Sequence, residues 1–262
     1  MSSGHRPAIE CRAVLFDLFG TLIIYGDMTR AWQAWLETLH RALADEGVDI
    51  ELQRFAERLR GFFSRPEPPP DGPGGTEFDR RLIALLAEFG IAIEPEAAVR
   101  ARRPAIDAWM QYVHLDPEAK GLLQAIRRSR KVALVSNFDA AEPVERILSD
   151  LDLARCFDVV AVSDAVGFKK PDPAIFHWVL ERLGVGPAQA IHVGDTEDDI
   201  DGARAAGVRP VLIERWDPDE LPVDYHFEGE APRGSAAHRS KAGPDRLIRV
   251  SSLAEVGHLL GV

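Results

Sequence analysis

The sequence predicts an α/β protein: a doubly wound (Rossmann-like) parallel sheet core with an inserted all-helical domain. Three observations carry that expectation. Five short runs, AVLFD (13–17), VALVS (132–136), VVAVS (159–163), AIHVG (190–194) and PVLIE (210–214), are apolar without alternation. This is the pattern of parallel strands covered on both faces. Helical patterns such as PVERILSDLDL (143–153) and PAIFHWVLERLG (173–184) separate the later runs, and strand–helix alternation builds βαβ units. The long stretch between the first and second runs, by contrast, carries helical patterns and no such strand run.

Taken in order, the first strand ends at Asp17, and residues 25–115 form the helical insertion. The core domain is then discontinuous, 1–24 and 116–262, resuming near Asp116–Pro117. Thr29 is placed to cap a first helix whose apolar stripe is Trp32, Trp35, Leu36, Leu39 and Leu43, at helical spacing. The two tryptophans read as core residues rather than substrate contacts. Further helical patterns cover 51–63, 77–89 and 95–113, and PEPPPDGPGG (66–75) reads as an exposed loop, since proline there excludes helix and central strand. An insertion just after the first strand is placed to act as a lid; the alternative is that it only stabilises the fold. Beyond PVLIE, residues 217–245 are rich in Pro, Gly and charge and read as a long loop, with His226 and His238 solvated. LIRV (247–250) is an edge strand, and SSLAEVGHLL a closing helix capped by Ser251 or Ser252.

Bulk properties limit the partners. The 262 residues carry a net charge of −11, which argues against nucleic acid and anionic membranes, because both need a basic face. A small anionic substrate needs only a local positive site and is not excluded. Cys11 and Cys156 lack a metal-ligand spacing and read as reduced thiols. MSSGHRPAIECR has no apolar signal-peptide core, and no apolar run approaches the ~18 residues of a membrane span. A soluble, cytoplasmic protein is expected, as a monomer or a homodimer.

In open parallel sheets, ligands bind beyond the carboxyl ends of the strands. Four of the five runs lead there into polar residues: Asp17, Ser136 with Asn137, Ser163 with Asp164, and Gly194 with Asp195. Asp17 would be costly if buried without a partner; Gly20 permits a sharp turn behind it, and Thr21 can orient the carboxylate. Ser136 and the Asn137 backbone can hold an anionic oxygen, although Ser-Asn also forms ordinary turns. In GFKKPDPAIF (167–176), position favours a site role for Lys170 and a solvated one for Lys169. In HVGDTEDDIDGARAAG (192–207), Asp195 and Asp199 with Asp17 make an oxygen-rich site suited to Mg2+. Glu197, Asp198 and Asp201 are assigned instead to the helix dipole.

Together FDLFGTL, VSN, FKKPDPAIF and HVGDTEDDIDGARAAG resemble, in order, the four motifs of the haloacid dehalogenase-like (HAD) hydrolase superfamily. The helical insertion resembles that superfamily's C1 cap domain. The resemblance implies a small phosphorylated substrate and a covalent aspartyl-enzyme mechanism. Asp17 would attack, Thr21 would orient it, and Ser136 with the Asn137 backbone would hold the transferring group. Lys170 would stabilise the charged intermediate, and Mg2+ would be held by Asp17, Asp195 and the backbone carbonyl of Phe19. Asp199 would act through water or by anchoring Lys170.

One position departs from the pattern. Phosphatases of the superfamily have a second Asp two residues after the nucleophile, as general acid and base; here that residue is Phe19. General acid–base help is worth ~10²–10⁴-fold. An aromatic residue there is similar to the 2-haloacid dehalogenases, which use no metal and lack the acidic pair of the fourth motif. Arg30 and Arg41 are candidates, by position only, for a haloacid carboxylate. The leading expectation is a Mg2+-dependent, phosphatase-like hydrolase with unusual leaving-group chemistry. The alternatives are a 2-haloacid dehalogenase-like enzyme and a non-catalytic member that binds a phospho-ligand or a protein.

Overall fold

A computed structural model describes residues 9–215 and 247–262. They divide into two compact units, one of residues 9–24, 115–215 and 247–262 and one of residues 25–114. The chain opens on β1 (Ala13–Phe16) and the short β2 (Ile23–Tyr25). It continues through α1 (Met28–Asp45), α2 (Leu52–Leu59), α3 (Glu77–Ala87), α4 (Pro95–Met110) and β3 (Val113–Leu115). Next come α5 (Ala119–Arg127), β4 (Lys131–Ser136), α6 (Ala141–Asp150), β5 (Val159–Val162), α7 (Ser163–Val166) and α8 (Pro173–Leu183). The last elements are β6 (Ala190–Gly194), α9 (Glu197–Ala205), β7 (Arg209–Ile213), β8 (Ile248–Val250) and α10 (Leu253–Leu260).

The first unit is the predicted doubly wound sheet. Its six strands are all parallel, in the order β5-β4-β1-β6-β7-β8. The chain winds outward from β1 through β4 to β5, then crosses back to β6 and winds the other way. The topological switch point therefore lies between β1 and β6, where open sheets bind ligands. Register brings the two strand ends level: Phe16 pairs with Val193, and the Asp17 N–H donates to the Val193 carbonyl at 2.9 Å. Leu15, Val135 and Ala161 pack with Ile175, Phe176 and Val179 of α8 to cover one sheet face. Ser252 caps α10 by accepting from the Glu255 N–H.

The second unit is mainly helical. Trp35, Leu39, Phe55, Phe62, Phe78 and Leu82 fill its core, and Trp32 packs against it. Trp32 stacks on Trp35 with ring centroids 4.8 Å apart, so both tryptophans serve packing. The PEPPPDGPGG segment has neither helix nor strand. Two details differ from expectation. Asp27, not Thr29, caps α1, accepting from the Arg30 N–H at 3.0 Å; the helix begins a turn-fraction earlier because Asp is at least as good an N-cap as Thr. The stretch read as all helix is also flanked by a two-stranded sheet of β2 and β3. No helix among the described residues is long and apolar enough to cross a membrane. The 217–245 segment, with His226 and His238, lies outside the described residues.

Candidate active site

The site is built at the switch point. Lys170 follows the Gly167 turn and extends its side chain under the strand ends, where it is buried. Its Nζ donates to Asp17 Oδ1 at 2.6 Å, to Asp199 Oδ1 at 2.6 Å and to the Val135 carbonyl at 2.9 Å. All three ammonium protons are thereby used. The Lys170 backbone is pinned as well: its N–H donates to Asn137 Oδ1, and Asn137 Nδ2 donates to its carbonyl, both at 2.8 Å.

Asp199 occupies the third position of α9 and closes a capping box with Thr196, the N-cap. Its Oδ2 accepts from the Thr196 N–H at 3.1 Å and the Thr196 hydroxyl at 2.6 Å. Its Oδ1, besides Lys170, lies 2.8 Å from His192 Nε2. Gly194 allows this close packing, because a Cβ there would fall 2.2 Å from Asp199 Cγ. Gly20, at φ +87°, does the same for Asp195: a Cβ would fall 2.1 Å from Asp195 Oδ2.

Asp17, Asp195 and Asp199 each present a carboxylate oxygen, and these three oxygens lie within 4.8 Å of one another. Hard oxygen donors in this number and proximity fit a cation such as Mg2+. The electrostatics agree. Burial pushes the Asp17 carboxyl above the usual range, and the Asp199 charge adds to this against the opposing pull of Lys170. Burial also disfavours the Lys170 ammonium, but the Asp17 and Asp199 carboxylates outweigh it and hold its pKa above the usual lysine value. Asp199 is desolvated too, yet Lys170 and His192 keep it ionised well below the ordinary carboxylate range.

Thr21 Oγ1 and Ser136 Oγ are buried without a hydrogen-bond partner among the described residues. Buried hydroxyls are normally partnered, which sets these two apart from most of the interior. Phe19 is buried, and its ring stacks on Phe138 with centroids 5.3 Å apart. Phe138 is held in turn by Ser163, whose Oγ accepts from the Phe138 N–H at 3.0 Å and donates to its carbonyl at 3.2 Å. Asp164 Oδ2 accepts from the Ala141 N–H at 3.2 Å. Ser163 and Asp164 thus tie loops together beside the site.

Lys169 is not simply solvated as expected: it is half-buried and pairs with Asp139 at 3.7 Å. Glu197 and Asp198 sit exposed in the first turn of α9. Arg30 and Arg41 are exposed, with Arg30 paired to Asp27 at 3.4 Å. The sequence reading missed His192, fully buried and edge-on to Phe176. The available signal was an imidazole inside AIHVG, a strand otherwise wholly apolar.

Comparisons with known proteins agree with this architecture. The family model for haloacid dehalogenase-like hydrolases matches residues 11–207. Haloacid dehalogenase-like hydrolase domain-containing protein 3 of Bos taurus is 43% identical over 106 residues, 38% of this chain. That match spans 41% of the relative's length. A phosphatase of Mycobacterium tuberculosis is 31% identical over 209 residues, covering 78% of this chain and 87% of the relative. The crystal structure of a 2-haloacid dehalogenase from Pseudomonas syringae has the same fold, with a TM-score of 0.63 at 22% identity over 96% of this chain and 98% of that one. The doubly wound sheet with its acidic switch point is therefore that of a HAD-type hydrolase. The chain belongs to the haloacid dehalogenase-like hydrolase family.

Proposed function

We propose that the chain is a Mg2+-dependent, phosphatase-like hydrolase acting on a small phosphorylated molecule, with Asp17 as nucleophile. The observation that carries this reading is the side-chain cluster at the strand ends: Asp17, Asp195 and Asp199 bring carboxylate oxygens within 4.8 Å of one another, and the Lys170 ammonium pairs with Asp17 and Asp199. Oxygen donors so placed suit a hard cation. Mg2+ held by Asp17, Asp195 and the Phe19 carbonyl, with Asp199 acting through water or by anchoring Lys170, would neutralise the anionic oxygens of the substrate. In the first step an Asp17 oxygen forms a bond to phosphorus as the bond to the leaving-group oxygen breaks. The Ser136 hydroxyl and the Asn137 N–H hold the transferring group, Thr21 orients Asp17, and Lys170 stabilises the charged intermediate. Water then attacks the phosphorus of this aspartyl phosphate, regenerating the Asp17 carboxylate and releasing inorganic phosphate.

Residues 25–115 correspond to the C1 cap of the superfamily and would set substrate choice. Phe19 stands where its phosphatases carry a second Asp, and a phenyl ring can neither give nor take a proton. Leaving groups that depart without protonation, such as acyl and aryl phosphates, are accordingly favoured. Steady-state assays with p-nitrophenyl phosphate and acetyl phosphate, with and without Mg2+, test this; absence of Mg2+-dependent turnover on both defeats it. Phe19→Asp is expected to raise turnover of alkyl phosphates. Phe19 also favours a second reading, 2-haloacid dehalogenation, in which chloride release from a 2-haloacid would persist in EDTA.

A further inference from the structure

Arg215, two residues past β7, has a side chain only 12% exposed. Its Nη2 donates to the Thr21 carbonyl at 2.7 Å, and its Nη1 pairs with Asp116 Oδ2 at 2.5 Å. Asp116 is itself buried; its backbone N–H donates to the Leu22 carbonyl at 2.9 Å, and its Oδ1 accepts from the Glu118 N–H at 2.7 Å. One ion pair thus holds two successive carbonyls of the loop that follows the nucleophile. The loop is also closed on itself. The Gly20 N–H donates to the Ile23 carbonyl at 2.6 Å, and the Leu22 and Ile23 N–H groups share the Leu18 carbonyl at 2.9 and 2.8 Å.

The place where this loop rests has chemical consequences. Gly20 lies against the Asp195 carboxylate with no room for even a methyl group, and Thr21 brings a buried, unpartnered hydroxyl. A buried ion pair contributes little net stability, because desolvation offsets its attraction; a guanidinium on two acceptors instead fixes geometry.

We infer that Arg215, through Asp116 and the Thr21 carbonyl, is a positioning residue that sets the spacing of Asp17 from Asp195. It thereby controls how well the carboxylate cluster takes a cation and how well Asp17 is aimed. The inference rests on the reading of these carboxylates as the cation-holding nucleophilic site.

The test compares Arg215→Met, Arg215→Lys and Asp116→Asn with wild type. Arg249→Met serves as a control, since Arg249 pairs with Glu214 on the surface of β8. Two quantities are read: the Mg2+ dependence of the thermal unfolding midpoint, and kcat with KM on p-nitrophenyl phosphate. In Arg215→Met, half-maximal stabilisation should need roughly ten-fold more Mg2+, and kcat should fall ~10–100-fold with little change in KM. Arg215→Lys, able to reach one acceptor, should lie between, and the control should match wild type. A folded Arg215→Met with wild-type Mg2+ dependence and kcat overturns the inference. So does one whose metal-free midpoint alone falls, which marks a purely structural residue. If Arg215→Met does not fold, Asp116→Asn decides: it keeps the Leu22 bond, and wild-type values in it overturn the inference. A wild type with neither Mg2+ response nor turnover defeats the underlying reading of the site instead.

Discussion

Each of the two units buries a set of ionised groups, and the contrast between them separates architecture from chemistry. In the helical unit, Glu77, Asp79, Arg81 and Arg102 are all buried. Arg81 pairs with Glu77 and donates to the Arg65 carbonyl at 2.7 Å; Arg102 pairs with Asp79 at 2.8 Å. Asp79 also closes the Thr76 capping box that starts α3. Two carboxylates meet two guanidiniums, and one arginine goes on to fasten the chain end of the 62–65 turn. In the sheet unit, Lys170 meets Asp17 and Asp199, His192 meets Asp199, and Asp195 brings a third carboxylate oxygen within 4.8 Å. The helical cluster ties chain segments together, whereas the sheet cluster crowds carboxylates at the switch point, the arrangement on which the proposed cation site rests.

The largest effect should come from Asp17, the proposed nucleophile. Asp17→Asn removes it while keeping its shape, and turnover should fall roughly 10⁴–10⁶-fold, with the folded state retained by circular dichroism. A residual rate near wild type would erase the distinction between the clusters. Next, Arg81→Met leaves Glu77 buried without its guanidinium and should cost about 3–5 kcal/mol in urea unfolding. Glu77→Gln added to it should recover much of that loss, because a closed pair can be replaced as a unit. Activity per folded molecule should be unchanged in both.

The cation offers a direct comparison of moderate size. Saturating Mg2+, at about a hundred times its Kd, should stabilise wild type by roughly 2.7 kcal/mol. Asp195→Asn should lose that response, whereas Asp79→Asn should keep it. The smallest expected effect is that of pH on Lys170→Met. Asp199 is depressed in the fold, so its contribution is present above its unfolded pKa and is lost as pH falls toward the folded value. Lys170 is raised, so its contribution is present below its unfolded pKa and is lost as pH rises through the folded value. Asp17, already raised by burial, loses its ammonium partner in Lys170→Met and rises further, so the stability deficit of the variant should shrink as pH falls and the carboxylates take up protons. A deficit that grows as pH falls would contradict this coupling of Lys170 to Asp17.

Much of this was legible in the residues. β1, β4, β5, β6 and β7 stand out because strands covered on both faces admit little polar content, so the polar residue that ends each run is conspicuous. Asp17, Ser136 and Asp195 are conspicuous in that way, and Lys170 by its place before Pro171. The paired strands β2 and β3 were hidden, since three residues each are too few for a period to appear. Asp27 was passed over for Thr29 because both precede the same apolar stripe. His192 was concealed by its own strand, and Arg215 carries no motif or period that singles it out; only tertiary packing turns it back toward Thr21. Asn137 was valued for its backbone, while its side chain proves to be the clamp on Lys170.

The crossing of the chain at the switch point also orders the protein's assembly. Lys170 and Asp17 are 153 residues apart in the sequence, and Asp195 lies further on still. Closing so long a loop is slow and entropically costly, so contacts of this separation tend to form late. A nascent or half-folded chain would carry the Asp17 carboxylate apart from both Lys170 and Asp195. The carboxylate cluster would come together only when β6 docks beside β1, so assembly of the proposed site is a late event of folding itself.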